Sequence, residues 1–138
     1  MLTSDCHILV LEDEPAILAL VVASLRAGGF SQISASSSIV GARQCWHAQM
    51  GKFDLVLTDF SLPDGCAPEF IRDLVRSKPS LRVILMTGFT EDVLGLDGDL
   101  RRHVTLLPKP FRPTDLIELV SAEMKTASGG QLAASTAT

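Results

Sequence analysis

Four short runs of consecutive apolar or β-branched residues constrain this chain most: ILVL (8–11), LVLT (55–58), VILM (83–86) and VTLL (104–107). None alternates polar with apolar, so each needs cover on both faces, as strands of a parallel sheet do. A fifth and more polar run at 32–35 reads as an edge strand. Between the runs lie segments with helical periodicity. Segment 14–27 carries Ile17, Val21 and Leu25, widened by Leu18 and Val22, with Pro15 in its first turn and Gly28-Gly29 as its stop. Segment 38–49 follows serines that can cap it, and Trp46 and Met50 read as its packing residues. Segments 68–76 (Phe70, Ile71, Leu74, Val75) and 113–125 (Leu116, Ile117, Val120, Met124) carry further apolar stripes that read as core.

Segment 90–100 is the weakest helix. Gly95 and Gly98 sit inside it, each costing about 1 kcal/mol relative to Ala, so it is expected to be short, broken or mobile. Residues 127–138 turn to Ala, Ser, Thr and Gly, and read as a flexible tail or linker after a single domain at 1–126. A chain of 138 residues can bury one core but not two.

Strands alternating with helices imply right-handed crossovers and a parallel sheet. Five such units predict an α/β, doubly wound, five-stranded parallel sheet in the order 2-1-3-4-5, with helices on both faces. Ligands of such a sheet sit beyond the carboxyl ends of the strands, where the strand order reverses.

The residues at those ends are informative. The first strand runs into Glu12-Asp13, the third into Asp59, the fourth into Thr87-Gly88 and the fifth into Lys109-Pro110. The expected topology brings three carboxylates, a hydroxyl and an ammonium to one edge. Clustered carboxylates repel, and a hard cation relieves that repulsion; Mg²⁺ suits all-oxygen ligands. A metal, an ammonium and a hydroxyl around one carboxylate suit phosphoryl chemistry, with Asp59 as nucleophile.

The segments ILVLEDEP (8–15), DLVLTDFSLPDG (54–65), VILMTGF (83–89) and LLPKPF (106–111) resemble the receiver domain of two-component response regulators over about residues 6–125. The resemblance implies a flavodoxin-like fold. It implies that Asp59 accepts a phosphoryl group from a histidine of a sensor kinase or histidine phosphotransfer protein. It also implies Mg²⁺ held by Asp13, Asp59 and the Ser61 carbonyl, with Glu12 acting mainly through bound water. Thr87 and Lys109 then reorganise around the phosphoryl group, the Lys109-Pro110 bond is cis, and an unknown downstream protein reads the altered surface. Such a domain catalyses its own phosphorylation and dephosphorylation only.

The sequence departs from that pattern at three places. Leu106 stands where relatives often carry an aromatic switch residue, and the chain has no tyrosine. Ala67 stands where many have Gly. Phe89, with Ser61, occupies a position that tunes acyl-phosphate hydrolysis, and its apolar ring predicts slow to moderate dephosphorylation.

Other function classes fit less well. Twelve basic against sixteen acidic residues, a net charge of −4, argue against nucleic-acid binding. The longest apolar stretch, 16–25, is too short to span a bilayer, and no secretory signal opens the chain, so a cytoplasmic location is expected. Cys6, Cys45 and Cys66 show neither metal-ligand spacing nor a disulfide framework. His7, His47 and His103 read as surface or satisfied histidines, Glu14 as a first-turn helix acid, and Arg101-Arg102 as a solvated charge cluster. Two alternatives stay open: a pseudo-receiver interaction module, and a Mg²⁺-dependent aspartyl-phosphate phosphatase. Against the second, Ser61 stands where such hydrolases usually place a second acid.

Overall fold

A computed structural model describes residues 5–88 and 98–128. The elements in chain order are β1 (His7–Leu11), α1 (Pro15–Ala27), β2 (Gln32–Ser36), α2 (Ile39–Ala48), β3 (Leu55–Asp59), β4 (Ser61–Leu62) and β5 (Gly65–Cys66). They continue with α3 (Ala67–Ser77), β6 (Arg82–Thr87), α4 (Gly98–Arg101), β7 (Val104–Pro108) and α5 (Pro113–Ser128). Five strands form one sheet in the order β2-β1-β3-β6-β7, with every pairing parallel. Counting only these strands, the order is 2-1-3-4-5, as expected.

The continuous apolar runs are continuous because the sheet is covered twice. Side chains alternate between faces along a strand. In β1, Ile8 and Val10 join Leu55, Leu57, Val21, Leu25, Leu116 and Val120 under α1 and α5. Leu9 and Leu11 join Val56, Phe70, Ile71 and Leu74 on the other side, under α2 and α3. Each fully buried aliphatic side chain is worth about 1.5–3 kcal/mol over its exposed state. β2 pairs with β1 alone and stays half-exposed, which accounts for its polarity.

Several expectations need correction. Met50 does not pack on α2; it lies past the helix end at φ +54°, 76% exposed. Trp46 does pack, stacked on Phe53 with ring centroids 5.6 Å apart. Glu14 is not inside the first turn of α1 but at its N-cap position, without a side-chain cap bond. After Asp59, β4 and β5 pair antiparallel as a small hairpin. α4 (residues 98–101) covers the end of segment 90–100, and residues 90–97 lie outside the described residues. α5 continues to Ser128, and the remainder of the 127–138 segment likewise lies outside them. Among the described residues, no helix is long and apolar enough to cross a membrane.

Candidate functional site

Parallel strands end together, so the residues following β1, β3, β6 and β7 gather at one edge. Leu11 of β1 pairs with Thr58 of β3, which places Glu12 and Asp59 side by side one residue further on. Glu12, Asp13 and Asp59 each offer a carboxylate oxygen, and these atoms lie within 4.8 Å of one another. Glu12 is fully buried, Asp59 half-buried and Asp13 exposed. The cluster therefore grades from the protein interior to solvent.

Lys109 reaches into this group from the end of β7. Its Nζ donates to Glu12 Oε2 at 3.1 Å and to Asp59 Oδ2 at 3.2 Å. The Lys109-Pro110 peptide is cis. The Lys109 N–H donates to the Thr87 carbonyl at 2.8 Å, which ties the lysine's backbone to the end of β6. Thr87 follows Met86, the partner of Asp59 in the β3–β6 register, and is 5% exposed. The other Asp59 oxygen, Oδ1, accepts the Phe60 N–H at 2.9 Å.

The charges are mutually dependent. Burial, and then the neighbouring Asp59 carboxylate, push the Glu12 carboxyl above its ordinary range, while Lys109 and the Glu14 N–H pull it back. Burial alone would lower the Lys109 ammonium; its bonds and attraction to Glu12 and Asp59 outweigh that and raise it. One ammonium against three carboxylates leaves a surplus of negative charge and a set of hard oxygen donors. That donor set fits a divalent cation of the Mg²⁺ type better than a softer metal.

The structure thus brings Glu12, Asp13, Asp59 and Lys109 together and sets Thr87 on the same edge. Ser61 lies in β4, two residues beyond Asp59, and is exposed. The Cys6, Cys45 and Cys66 thiols are all free. His7 bonds Ser34 Oγ at 3.2 Å and His103 bonds the Leu81 carbonyl at 3.4 Å, so both are satisfied away from the site. Arg102 pairs with Asp99 in the open, as a solvated cluster would. Phe89 lies outside the described residues.

Two features escaped sequence reasoning. Asp64, not singled out in the sequence, accepts the backbone N–H groups of Ile39 and Val40, each at 2.9 Å. Glu123, inside the α5 stripe region, is buried and bonded to Arg82 and Thr105. Their partners lie 18 to 41 residues away, so no local signal marks them.

Comparison with known proteins agrees with this geometry. Residues 8–121 match the family model described as the response regulator receiver domain. The chain is 30% identical over 111 residues to the response regulator receiver protein CpdR of Brucella abortus, covering 80% of this chain and 90% of CpdR. It is 33% identical over 130 residues to the phosphate regulon transcriptional regulatory protein PhoB of Escherichia coli, but spans only 53% of that protein. It spans 12% of the B. abortus sensor kinase CckA, at 28% identity over 110 residues. In fold it resembles a receiver domain protein from Clostridium thermocellum, with TM-score 0.77 and 22% identity over 89% of this chain and 97% of that one. It also resembles the CckA receiver domain, with TM-score 0.70 and 24% identity over 86% and 98%.

Proposed function

This chain belongs to the response regulator receiver domain family, and we propose that Asp59 is its phosphoacceptor, working with Mg²⁺, Thr87 and Lys109. The observation that carries this reading is the junction of Asp59 with two further carboxylates and one ammonium at the sheet edge where the strand order reverses. Glu12, Asp13 and Asp59, with the Ser61 carbonyl, are the groups that would hold the cation. When bound, the cation offsets the carboxylate repulsion and the charge on the transferring phosphoryl oxygens.

The chain's own residues do the rest. The Phe60 N–H and the Lys109 ammonium hold the Asp59 carboxylate from two sides, fixing its direction. An Asp59 oxygen attacks phosphorus, and the bond from phosphorus to the donor histidine nitrogen breaks as the new P–O bond forms. The electron pair leaves with the imidazole. Lys109 exchanges its carboxylate contacts for a phosphoryl oxygen, and the Thr87 hydroxyl donates to another. The added charge at Asp59 then favours one of two arrangements of the protein, altering a protein-binding surface.

The phosphodonor in this reading is a sensor histidine kinase or histidine phosphotransfer protein, and the receiver of the signal is a downstream protein. Likeness to the CckA receiver domain and to CpdR supports that partner class. The unit that carries it is the receiver domain, which includes α5 through Ser128. Because the chain acts on itself, no external substrate is turned over.

The test is incubation with Mg²⁺ and acetyl phosphate, followed by intact mass. A gain of about 80 Da, absent from Asp59→Asn, supports the reading. Hydrolysis of the donor without an adduct would point to a phosphatase, and no reaction to an interaction module that does not use the chemistry.

A further inference from the structure

The segment between Asp59 and α3 carries Ser61 and must keep its shape for a cation or phosphoryl group to find its donors. Its two ends are fixed. The Phe60 N–H donates to Asp59 Oδ1 at 2.9 Å, and the Ala67 N–H donates to the Phe60 carbonyl at 2.8 Å. Between them, β4 and β5 are strands of two residues each, with Pro63 and Asp64 at the tip. An isolated hairpin that short has no stability of its own. Something outside the hairpin must hold its tip.

Asp64 is that hold. Its Oδ1 accepts the Ile39 N–H and its Oδ2 the Val40 N–H, both at 2.9 Å. These are leading amides of α2, which have no partner within the helix. The helix already has a local cap, Ser38 Oγ, which accepts the Gly41 N–H at 3.1 Å. α2 is therefore capped twice, once locally and once from the loop that follows Asp59. The approach is close: Gly65 sits at φ +149°, and a Cβ there would come within 3.3 Å of Ile39 Cδ1. α2 is itself seated by buried Ala42 and Trp46, so the tip is anchored to the core.

We propose that Asp64 is a positioning residue for phosphoryl acceptance, gripping α2 so that residues 60–66 hold Ser61 in place beside Asp59. This inference rests on the function proposed above. Asp64 acts through the backbone, because its carboxylate engages α2 and not the acidic cluster. The two amides draw the Asp64 carboxyl below the usual range, as a charge-assisted double bond should.

The full chain and its Asp64→Ala, Asp64→Asn and Ser38→Ala variants provide the test. Three quantities are read: Mg²⁺ affinity by titration, the rate of adduct formation with acetyl phosphate, and hydrogen exchange at the Phe60 and Ala67 amides. Asp64→Ala should lower both affinity and rate by about tenfold and speed exchange at both amides. Asp64→Asn keeps one acceptor oxygen and should recover part of each loss. Ser38→Ala removes the other cap of the same helix, so it should lower the melting temperature yet leave all three readouts unchanged. The inference is overturned if Asp64→Ala matches the parent chain, or if Ser38→Ala falls as far. Should Asp64→Ala fail to fold, Asp64→Asn carries the same comparison. A parent chain that neither binds Mg²⁺ nor forms an adduct would sink the functional reading instead, and the exchange data would still decide whether Asp64 holds the loop.

Discussion

Lys109 Nζ lies 3.2 Å from Asp59 Oδ2 although the two residues are 50 positions apart in the chain. The same ammonium bonds Glu12, so one cation serves two carboxylates from different strands. Lys109→Ala should therefore slow adduct formation by about a hundredfold, the usual cost of losing a pre-aimed charge. Asp59→Asn should abolish the adduct. In metal-free buffer it should also raise stability by about 1 kcal/mol, because it removes a like charge beside buried Glu12 and leaves Lys109 paired with it. A melting temperature lowered by Asp59→Asn would contradict this account of the cluster.

The Glu12 carboxyl, held above its ordinary 4.5 first by burial and then by Asp59, gives the site a signed pH dependence. Just above pH 4.5 the folded chain keeps a proton that the unfolded chain releases. Metal-free stability should therefore fall as pH rises through that window. Mg²⁺ needs the ionised carboxylate, so it competes with that proton. At a Mg²⁺ concentration about 100 times its dissociation constant, the stabilisation should approach about 2.7 kcal/mol near neutral pH. It should shrink as pH falls toward the raised Glu12 range, where the proton competes. Thermal melts with and without Mg²⁺ measure this, and Glu12→Gln should flatten the difference between the two pH values. An equal Mg²⁺ gain at both pH values in the parent chain would rule the explanation out.

The architecture was readable in the sequence because its causes are local or additive. Ile8 to Leu11 and Leu55 to Thr58 are buried on both faces, as strands of a parallel sheet covered by helices are. Once the sheet order follows, the meeting of Glu12, Asp13, Asp59 and Lys109 is a matter of where strands stop. What stayed hidden depends on pairs brought together only by the finished fold. Asp64 has the composition of a turn residue, and nothing near it announces that its carboxylate will cap a helix 24 residues earlier. Met50 has the composition of core, yet the backbone turns to positive φ there and leaves its side chain in solvent.

Glu123 illustrates the same point and carries a prediction. It accepts from Arg82 Nε at 3.2 Å and Nη2 at 3.1 Å, and from the Thr105 hydroxyl, joining α5 to β6 and β7. Its side chain is 8% exposed, whereas that of Arg82 is 29% exposed. Removing Arg82 strands a buried carboxylate, while removing Glu123 frees a cation that can reach water. Arg82→Ala should therefore cost about 3 kcal/mol and Glu123→Ala less. The paired replacement Arg82→Ala with Glu123→Ala should fall well short of the summed single losses. Urea denaturation of the four chains measures this coupling, and strict additivity would show that the pair acts as two independent groups.

The last prediction concerns Cys6. Its thiol is 1% exposed and lies 2.8 Å from Met124 Sδ, at the end of the sheet away from the acidic cluster. Burial, with some help from the Asp54 carboxylate, pushes its pKa from 9.0 up to about 12. Thiolates, not thiols, react with alkylating agents, so exposure and ionisation point the same way. Iodoacetamide near neutral pH should label exposed Cys66 first, half-buried Cys45 more slowly, and Cys6 only when the chain unfolds. Between pH 9.0 and about 12 the unfolded chain loses the Cys6 proton while the folded chain keeps it. The native state then binds more protons, and stability should fall by about 1.4 kcal/mol per pH unit from this group alone. Cys6→Ala should remove that part of the alkaline slope, at the cost of a small cavity beside Met124. Alkylation of Cys6 in the native chain at the rate of Cys66 would mean that the lower edge of the sheet opens readily, and that burial does not govern this thiol.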